Sequence, residues 1–231
     1  MILLALNQCF MDIQHITTAH LFSTSLQESV LPTLLRKHFL ACQFPWQVLA
    51  GFGDVLAEMI ALRHTKIQGE VSDRAELIGE DIVIEKGACV EGFVSIRSPA
   101  YISSGAVVRS GAYLRGGVYM APKALMGHSC EAKSSLLLEG AKASHHVYLG
   151  DSLLGYGVNL GAGTKTANVR LDKKPVCLKI NNDTIFESGM RKLGAICADY
   201  SQTGCNVVTN PGVILTRSAK VLPLKAVSGV V

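Results

Sequence analysis

Residues 78–126 read IGEDIVIEKGACVEGFVSIRSPAYISSGAVVRSGAYLRGGVYMAPKALM, and one lane of side chains in them returns every six residues. That lane is Ile78, Ile84, Val90, Ile96, Ile102, Val108, Leu114, Met120 and Met126. A second lane of small or branched residues runs two positions ahead of it: Ile82, Ala88, Val94, Ala100, Ala106, Ala112, Val118 and Ala124. Side chains two apart on a strand share a face, so each pair points inward from one short strand. Six residues are too few for a hairpin or a helix pair, but they suit one strand and one corner. Glycines fill the corners, at 79, 87, 92, 105, 111, 116, 117 and 127. Stacked coils would set aliphatic on aliphatic and small on small, which makes a continuous core along one axis. The expected fold is mostly β, a left-handed parallel β-helix with three strands per coil over residues 69–231. Its hand is an exception to the right-handed crossover rule.

Working outward, residues 1–68 do not repeat and read as a small helical segment. Leu26, Val30, Leu34, Leu35 and Phe39 recur at helical spacing, with Pro32 limiting where that helix begins. Phe44-Pro45-Trp46 reads as a break with two aromatic anchors. Asp54 reads as the N-cap of a second short helix carrying Val55, Leu56, Met59, Ile60 and Leu62. These helices are expected to cap the open end of the prism, with partner binding as the alternative. Beyond Met126 the inward positions become Ala132, Leu137, Ala143, Leu149, Leu154, Leu160 and Thr166, with five-residue steps among the sixes. Loss of strict register marks where function interrupts packing. Val176–Ile180 and Thr184–Phe186, around Asn181-Asn182-Asp183, predict a hairpin arm projecting from the prism at about 170–190. The repeat resumes weakly from Leu193.

Composition narrows the classes. A mean hydropathy of +0.30 with 17% charged residues implies a large buried fraction or a buried oligomer face. No apolar run is long enough for a membrane span, and Met1 to Leu6 is too short for a secretory signal. Seven scattered cysteines without a C-x-x-C pair fit buried thiols in a reducing cytosol, so a cytoplasmic protein is expected. The net charge is +4, and Arg115, Lys133, Lys142, Lys165, Arg170, Lys173 and Lys174 gather in mid-chain. With only 6% aromatic residues, that pattern fits a small phosphate-bearing ligand better than a nucleic acid.

The middle of the chain carries a resemblance. His145-His-Val-Tyr-Leu-Gly-Asp151, Asn159-Leu-Gly-Ala-Gly-Thr164 and Thr166-Ala-Asn168 resemble the acetyltransferase half of a bifunctional family. That family is the UDP-N-acetylglucosamine pyrophosphorylase/glucosamine-1-phosphate N-acetyltransferases. Asn168-Val-Arg-Leu-Asp172 and Met190-Arg-Lys-Leu-Gly194 look closer to its archaeal-type sugar-1-phosphate nucleotidylyltransferase variant. The resemblance covers roughly residues 75–225. Phe44-Pro45-Trp46 looks like the linker after the nucleotidylyltransferase domain of relatives, and that domain's Gly-rich loop has no counterpart in the sequence.

The resemblance implies an acetyl-CoA-dependent N-acetyltransferase acting on an amino-sugar 1-phosphate such as glucosamine 1-phosphate. His145 takes the catalytic base position, and the chemistry needs one, because a sugar amine loses a proton as it attacks a thioester. Arg115, Lys133 and Tyr148 match the residues that hold the sugar phosphate, with Lys174 a further basic contact. Asn159 and Asn168 match the pair lining the sugar pocket. Ala162 falls where a backbone amide meets acetyl-CoA, and Gly204 replaces a serine near the acetyl group. His146 takes a place that is usually apolar. No metal is implied. The resemblance further implies a homotrimer, and a separate chain for the nucleotidylyltransferase step.

Two departures, Gly204 and the C-terminal Leu222-Pro223, leave acceptor binding better preserved than coenzyme binding. They keep open a second class, a catalytically degenerate relative that binds sugar phosphates or acts as a scaffold. A third class, a prism-type zinc hydratase, would need histidine ligands, but the spacing of His128, His145 and His146 does not match it.

Overall fold

The computed structural model describes residues 13–181 and 184–231. Met1 to Leu6, Cys9 and the arm residues Asn182 and Asp183 lie outside the described residues. From Glu70 onward the chain winds through three parallel sheets. The first face holds eight strands from Glu70–Val71 to Lys220–Val221, and the second holds eight from Glu76–Ile78 to Ala226–Val227. The third holds seven, from Ile82–Ile84 to Val213–Leu215. This is the expected left-handed parallel β-helix.

The small lane and the aliphatic lane from Ile84 to Met126 are buried together in one axial core, which continues through Leu137, Leu149, Leu154 and Leu160. A coil is 18 residues where Val107 pairs with Leu125, and 17 where Leu125 pairs with Lys142. Those shorter coils contain the five-residue steps. One member of the lane is corrected. Leu77, not Ile78, pairs with Ile96 and packs on the core, while Ile78 pairs with Arg97 on the outside. The corner after Ile78 is one residue longer than the rest, which slips the pattern by one and turns the side chains over.

The N-terminal segment is also corrected. The helices are α1 (Thr18–Leu21), α2 (Ser23–Gln27), α3 (Thr33–Ala41) and α4 (Pro45–Ala61). The periodic run from Leu26 is broken at Pro32, and Val30 is exposed. Phe44-Pro45-Trp46 starts a helix instead of breaking one. Phe44 is its N-cap and Pro45 its first residue, where a missing N–H costs nothing. Asp54 therefore lies inside α4.

The helices do not cap the end of the prism, where Val71, Ala75 and Leu77 stay partly exposed. They lie along the whole third face. The outward residues of that face, Val83, Tyr101, Tyr119, Leu136, Leu153, Ile196 and Ile214, are buried with the helices in a second core. Each such side chain is worth about 1.5–3 kcal/mol of apolar burial. Fully buried Asp199 ties the layer down, accepting from the Ser25 amide at 2.9 Å, the Ser25 hydroxyl and the Tyr156 amide at 2.8 Å.

The arm is a hairpin of Cys177–Lys179 against Ile185–Glu187, but it does not project. Val176 and Leu178 are buried in the second core. The Phe186 ring lies 5.2 Å from Phe44 and 5.7 Å from Trp46. Its apolar face had a helical layer to join, so it folded back. No helix among the described residues is long and apolar enough to cross a membrane.

Candidate functional site

Two corners flank the second face, and all but two of the sequence-predicted residues divide between them. Between the first and second faces, every coil after the first turns through a residue with positive φ: Phe93, Gly111, Ser129, His146, Gly163, Asn206 and Leu224. His145 ends the strand Lys142–His145 and precedes that turn residue. Its coil-to-coil neighbour below is His128, and the register of the next coil sets Ala162 directly above it. The predicted base and the predicted coenzyme contact are thus adjacent rungs of one column, and Cys205 follows on the rung above. His145 is exposed, and its carbonyl accepts from the Gly163 amide at 3.0 Å. His146 comes next in the chain. It is the left-handed turn residue, φ 51°, and its ring stands edge-on to His128 at 5.9 Å. The His128 Nδ1 lies 2.7 Å from the Ser110 carbonyl.

The two departures in this corner have one cause. A Cβ added to Gly204 would lie 2.6 Å from the Pro223 ring of the next coil. Gly204 stacks on Gly161, whose own Cβ would meet the Gly204 carbonyl carbon at 2.4 Å. With Pro223 in the last coil, no serine side chain fits at 204. Leu222 and Leu224 on either side are exposed. The Ala162 amide donates to no acceptor among the described residues.

At the corner between the second and third faces, the strand ends of successive coils stack as Arg97, Arg115, Lys133 and Gly150. Lys133 Nζ lies 3.0 and 3.3 Å from the two oxygens of Asp151. The Asn168 amide donates to the same carboxylate. Gly150 makes the space: a Cβ there would lie 2.7 Å from the Tyr148 hydroxyl and 2.6 Å from the Asn168 Nδ2. Lys133, Tyr148 and Asn168 therefore converge on one spot above Arg115. Arg115 donates to Glu131 at 2.7 Å, and that bond pushes its pKa further up. The spot is built on a buried hydroxyl ladder. Ser152 donates to the Gly150 carbonyl at 2.8 Å and accepts from the Ala195 amide at 3.0 Å, while Thr166 accepts from the Gly150 amide at 3.0 Å. The arm leaves and rejoins here, with the Gly194 amide on the Asp151 carbonyl at 2.8 Å.

Two predicted residues stand apart. Asn159 is exposed on the first face between Lys142 and Gln202. Lys174 is an exposed loop residue whose amide donates to Asp172 at 3.2 Å. Asp172 is locked to Arg170, which holds its carboxyl well below the usual range. Sequence reasoning missed Asp151 and Glu131, the anions that position the two cations. The signal for Asp151 was its place beside Gly150 in the quoted motif, where it takes a left-handed conformation, φ 48°.

The fold and its six-residue period define a left-handed parallel β-helix protein built on hexapeptide repeats. No family model matches the chain. It is 40% identical over 169 residues to "Bifunctional protein GlmU" of Methanococcus maripaludis strain C7, covering 73% of this chain and 39% of that one. It is 37% identical over 155 residues to the "Bifunctional sugar-1-phosphate nucleotidylyltransferase/acetyltransferase" of Sulfurisphaera tokodaii, covering 67% and 38%. The same GlmU title in Methanocaldococcus jannaschii is 36% identical over 169 residues. The chain thus spans about two fifths of the curated relatives it matches, and it is related to the acetyltransferase half of these bifunctional proteins. A solved hexapeptide transferase family protein from Anaplasma phagocytophilum covers 70% of this chain and 74% of its own at 14% identity, with a TM-score of 0.30. The fold rests on the strand ladders alone.

Proposed function

We propose that the chain is an acetyltransferase of sugar-phosphate metabolism that moves the acetyl group of acetyl-CoA to the amine of an amino-sugar 1-phosphate such as glucosamine 1-phosphate. The observation that carries this reading is the convergence of Lys133, Tyr148 and Asn168 around Gly150, on the same coil as His145. Arg115 and Lys133 would hold the phosphate, sharing their charge between it and the Glu131 and Asp151 carboxylates. Asn168 would orient the sugar, with Asn159 and Lys174 reaching it only from a neighbouring copy. His145 would take the proton that the amine loses as its nitrogen bonds the acetyl carbon. The carbon–sulfur bond breaks, and the proton passes to the leaving thiolate. The free Ala162 amide, one rung above His145, supports a thioester docked along that corner, with Gly204 beside it.

This reading requires a second prism. Asn159 faces outward from the first face and Tyr148 from the second, so one chain does not bring them together. Helices cover the third face, leaving those two faces to meet neighbours in a homotrimer. The nucleotidylyltransferase step would fall to a separate chain or segment, in the cytoplasm.

Acetyl-CoA with glucosamine 1-phosphate should release free thiol, and His145→Ala should cut that rate by about a hundredfold to ten-thousandfold with little change in acceptor binding. His146→Ala should cost far less. Absence of thiol release from an intact oligomer at saturating substrates would sink the acceptor assignment. The Pro223 contact with Gly204 favours a second reading, a non-catalytic sugar-phosphate binder. Calorimetry with coenzyme A separates the two, since only the enzyme needs to bind it.

A further inference from the structure

The column at the second corner does not stop at the two cations of the phosphate clamp. Arg97 lies one coil below Arg115, in register with it through Ser95–Tyr113 and Ile96–Leu114. Neighbouring strands lie about 4.8 Å apart, so the three cations descend in even steps. Their partners differ. Arg115 is paired with Glu131 and Lys133 with Asp151. Arg97 is exposed and forms no ion pair among the described residues. Its guanidinium lies over the Tyr113 ring, 5.8 Å from the centroid, which holds it in place without neutralising it. On the same face, Glu76 is paired with Ser95 and engaged by the Ser95 hydroxyl at 3.2 Å. The uncompensated positive charge of this column is therefore at Arg97, outside the monophosphate clamp.

Resting on the reading of Lys133 and Arg115 as a phosphate clamp, we infer that Arg97 and Tyr113 form a second phosphate subsite, and that the ligand it serves is an amino sugar carrying a diphosphate, as in a nucleoside-diphosphate sugar. The order of groups along the corner fits such a molecule. The sugar side is at Tyr148 and Asn168, the first phosphate at Lys133 and Arg115, and the second one rung further down at Arg97. Two phosphates joined by one oxygen suit adjacent rungs. Below Arg97 the column ends on Ile78, the half-exposed apolar residue paired with it, which offers a surface for whatever the second phosphate carries.

Calorimetry on the full chain tests this without requiring turnover. Inorganic phosphate is compared with pyrophosphate, and glucosamine 1-phosphate with a nucleoside-diphosphate glucosamine, on the wild type, Arg97→Gln and Arg97→Lys. The expected result is diphosphate binding about tenfold to a hundredfold tighter than monophosphate, as one further charge-assisted contact provides. Arg97→Gln should remove that excess and leave monophosphate affinity unchanged, and Arg97→Lys should restore part of it. Equal affinity for both classes in the wild type, or equal weakening of both by Arg97→Gln, overturns the subsite. If glucosamine 1-phosphate is acetylated but diphosphates gain nothing, the enzyme reading stands and this one falls. If diphosphates bind through Arg97 and no acetyl transfer occurs, the subsite stands without the enzyme.

Discussion

Pro223 resting on Gly204 shows how one side chain in a solenoid constrains the coil beneath it. Gly204→Ser would drive a Cβ against the proline ring, and overpacking of this kind costs about 1–3 kcal/mol. The substitution should lower the melting temperature in wild type and cost much less in a Pro223→Ala background. Equal losses in both would dissociate the two residues. Lys133 makes a second test at this scale. Lys133→Ala should weaken glucosamine 1-phosphate about tenfold to a hundredfold and leave glucosamine unaffected, as read by calorimetry. Equal weakening of both ligands would remove Lys133 from the clamp. Thiol chemistry gives a third. Burial pushes Cys197 up to about 12 and raises Cys130 as well, whereas Cys205 is exposed on the His145 column. Maleimide labelling of the native protein, mapped by mass spectrometry, should reach Cys205 and spare Cys130 and Cys197 until the chain unfolds.

Elements behave as the residue patterns directed, except where two periodicities met. The strands of the third face are apolar on both sides, and Val83, Tyr101 and Tyr119 carry the outer lane. That lane was present in the sequence at 18-residue spacing, but it was hidden among inward residues of the same chemistry. An end cap was therefore the natural expectation for the helices. The apolar area lay along the side, so the helices went there. Asp199 is the polar pin of that contact. Asp199→Ala would leave the Ser25 amide and hydroxyl without their buried acceptor, each worth about 1–3 kcal/mol. The loss should appear in denaturant unfolding with hydrogen exchange rising first in α1 and α2. An unchanged midpoint would show that water replaces the carboxylate. Phe186 pins the arm to the start of α4, so Phe186→Ala should raise proteolytic cleavage within 170–190 while leaving the coils protected.

At the scale of the molecule, helices and prism share a core and should unfold in one transition. Removing residues 1–62 would expose Tyr101, Tyr119, Leu136, Leu153 and Ile196 along one side, and the truncated chain should aggregate rather than remain a soluble prism. Light scattering of the full chain should give the mass of three copies. A monomer at micromolar concentration would leave Asn159 stranded on its own face and count against an active enzyme.

The sequence by itself determined the prism, because a six-residue period with small and aliphatic lanes has one good way to bury both. Through the family resemblance it also pointed to residues of the middle coils to suspect: His145, Tyr148, Asn159 and Asn168. Only the tertiary structure decided that Leu77 replaces Ile78 in the core, since a single extra corner residue reverses the sides of a strand. Only the structure joined Lys133, Tyr148, Asn168 and Asp151. They come from three coils, and it is the in-register stacking of those coils, with Gly150 leaving room, that makes them neighbours. The division between the His145 column and the Lys133 column is likewise a property of the corners, set by where the backbone turns and not by distance along the chain.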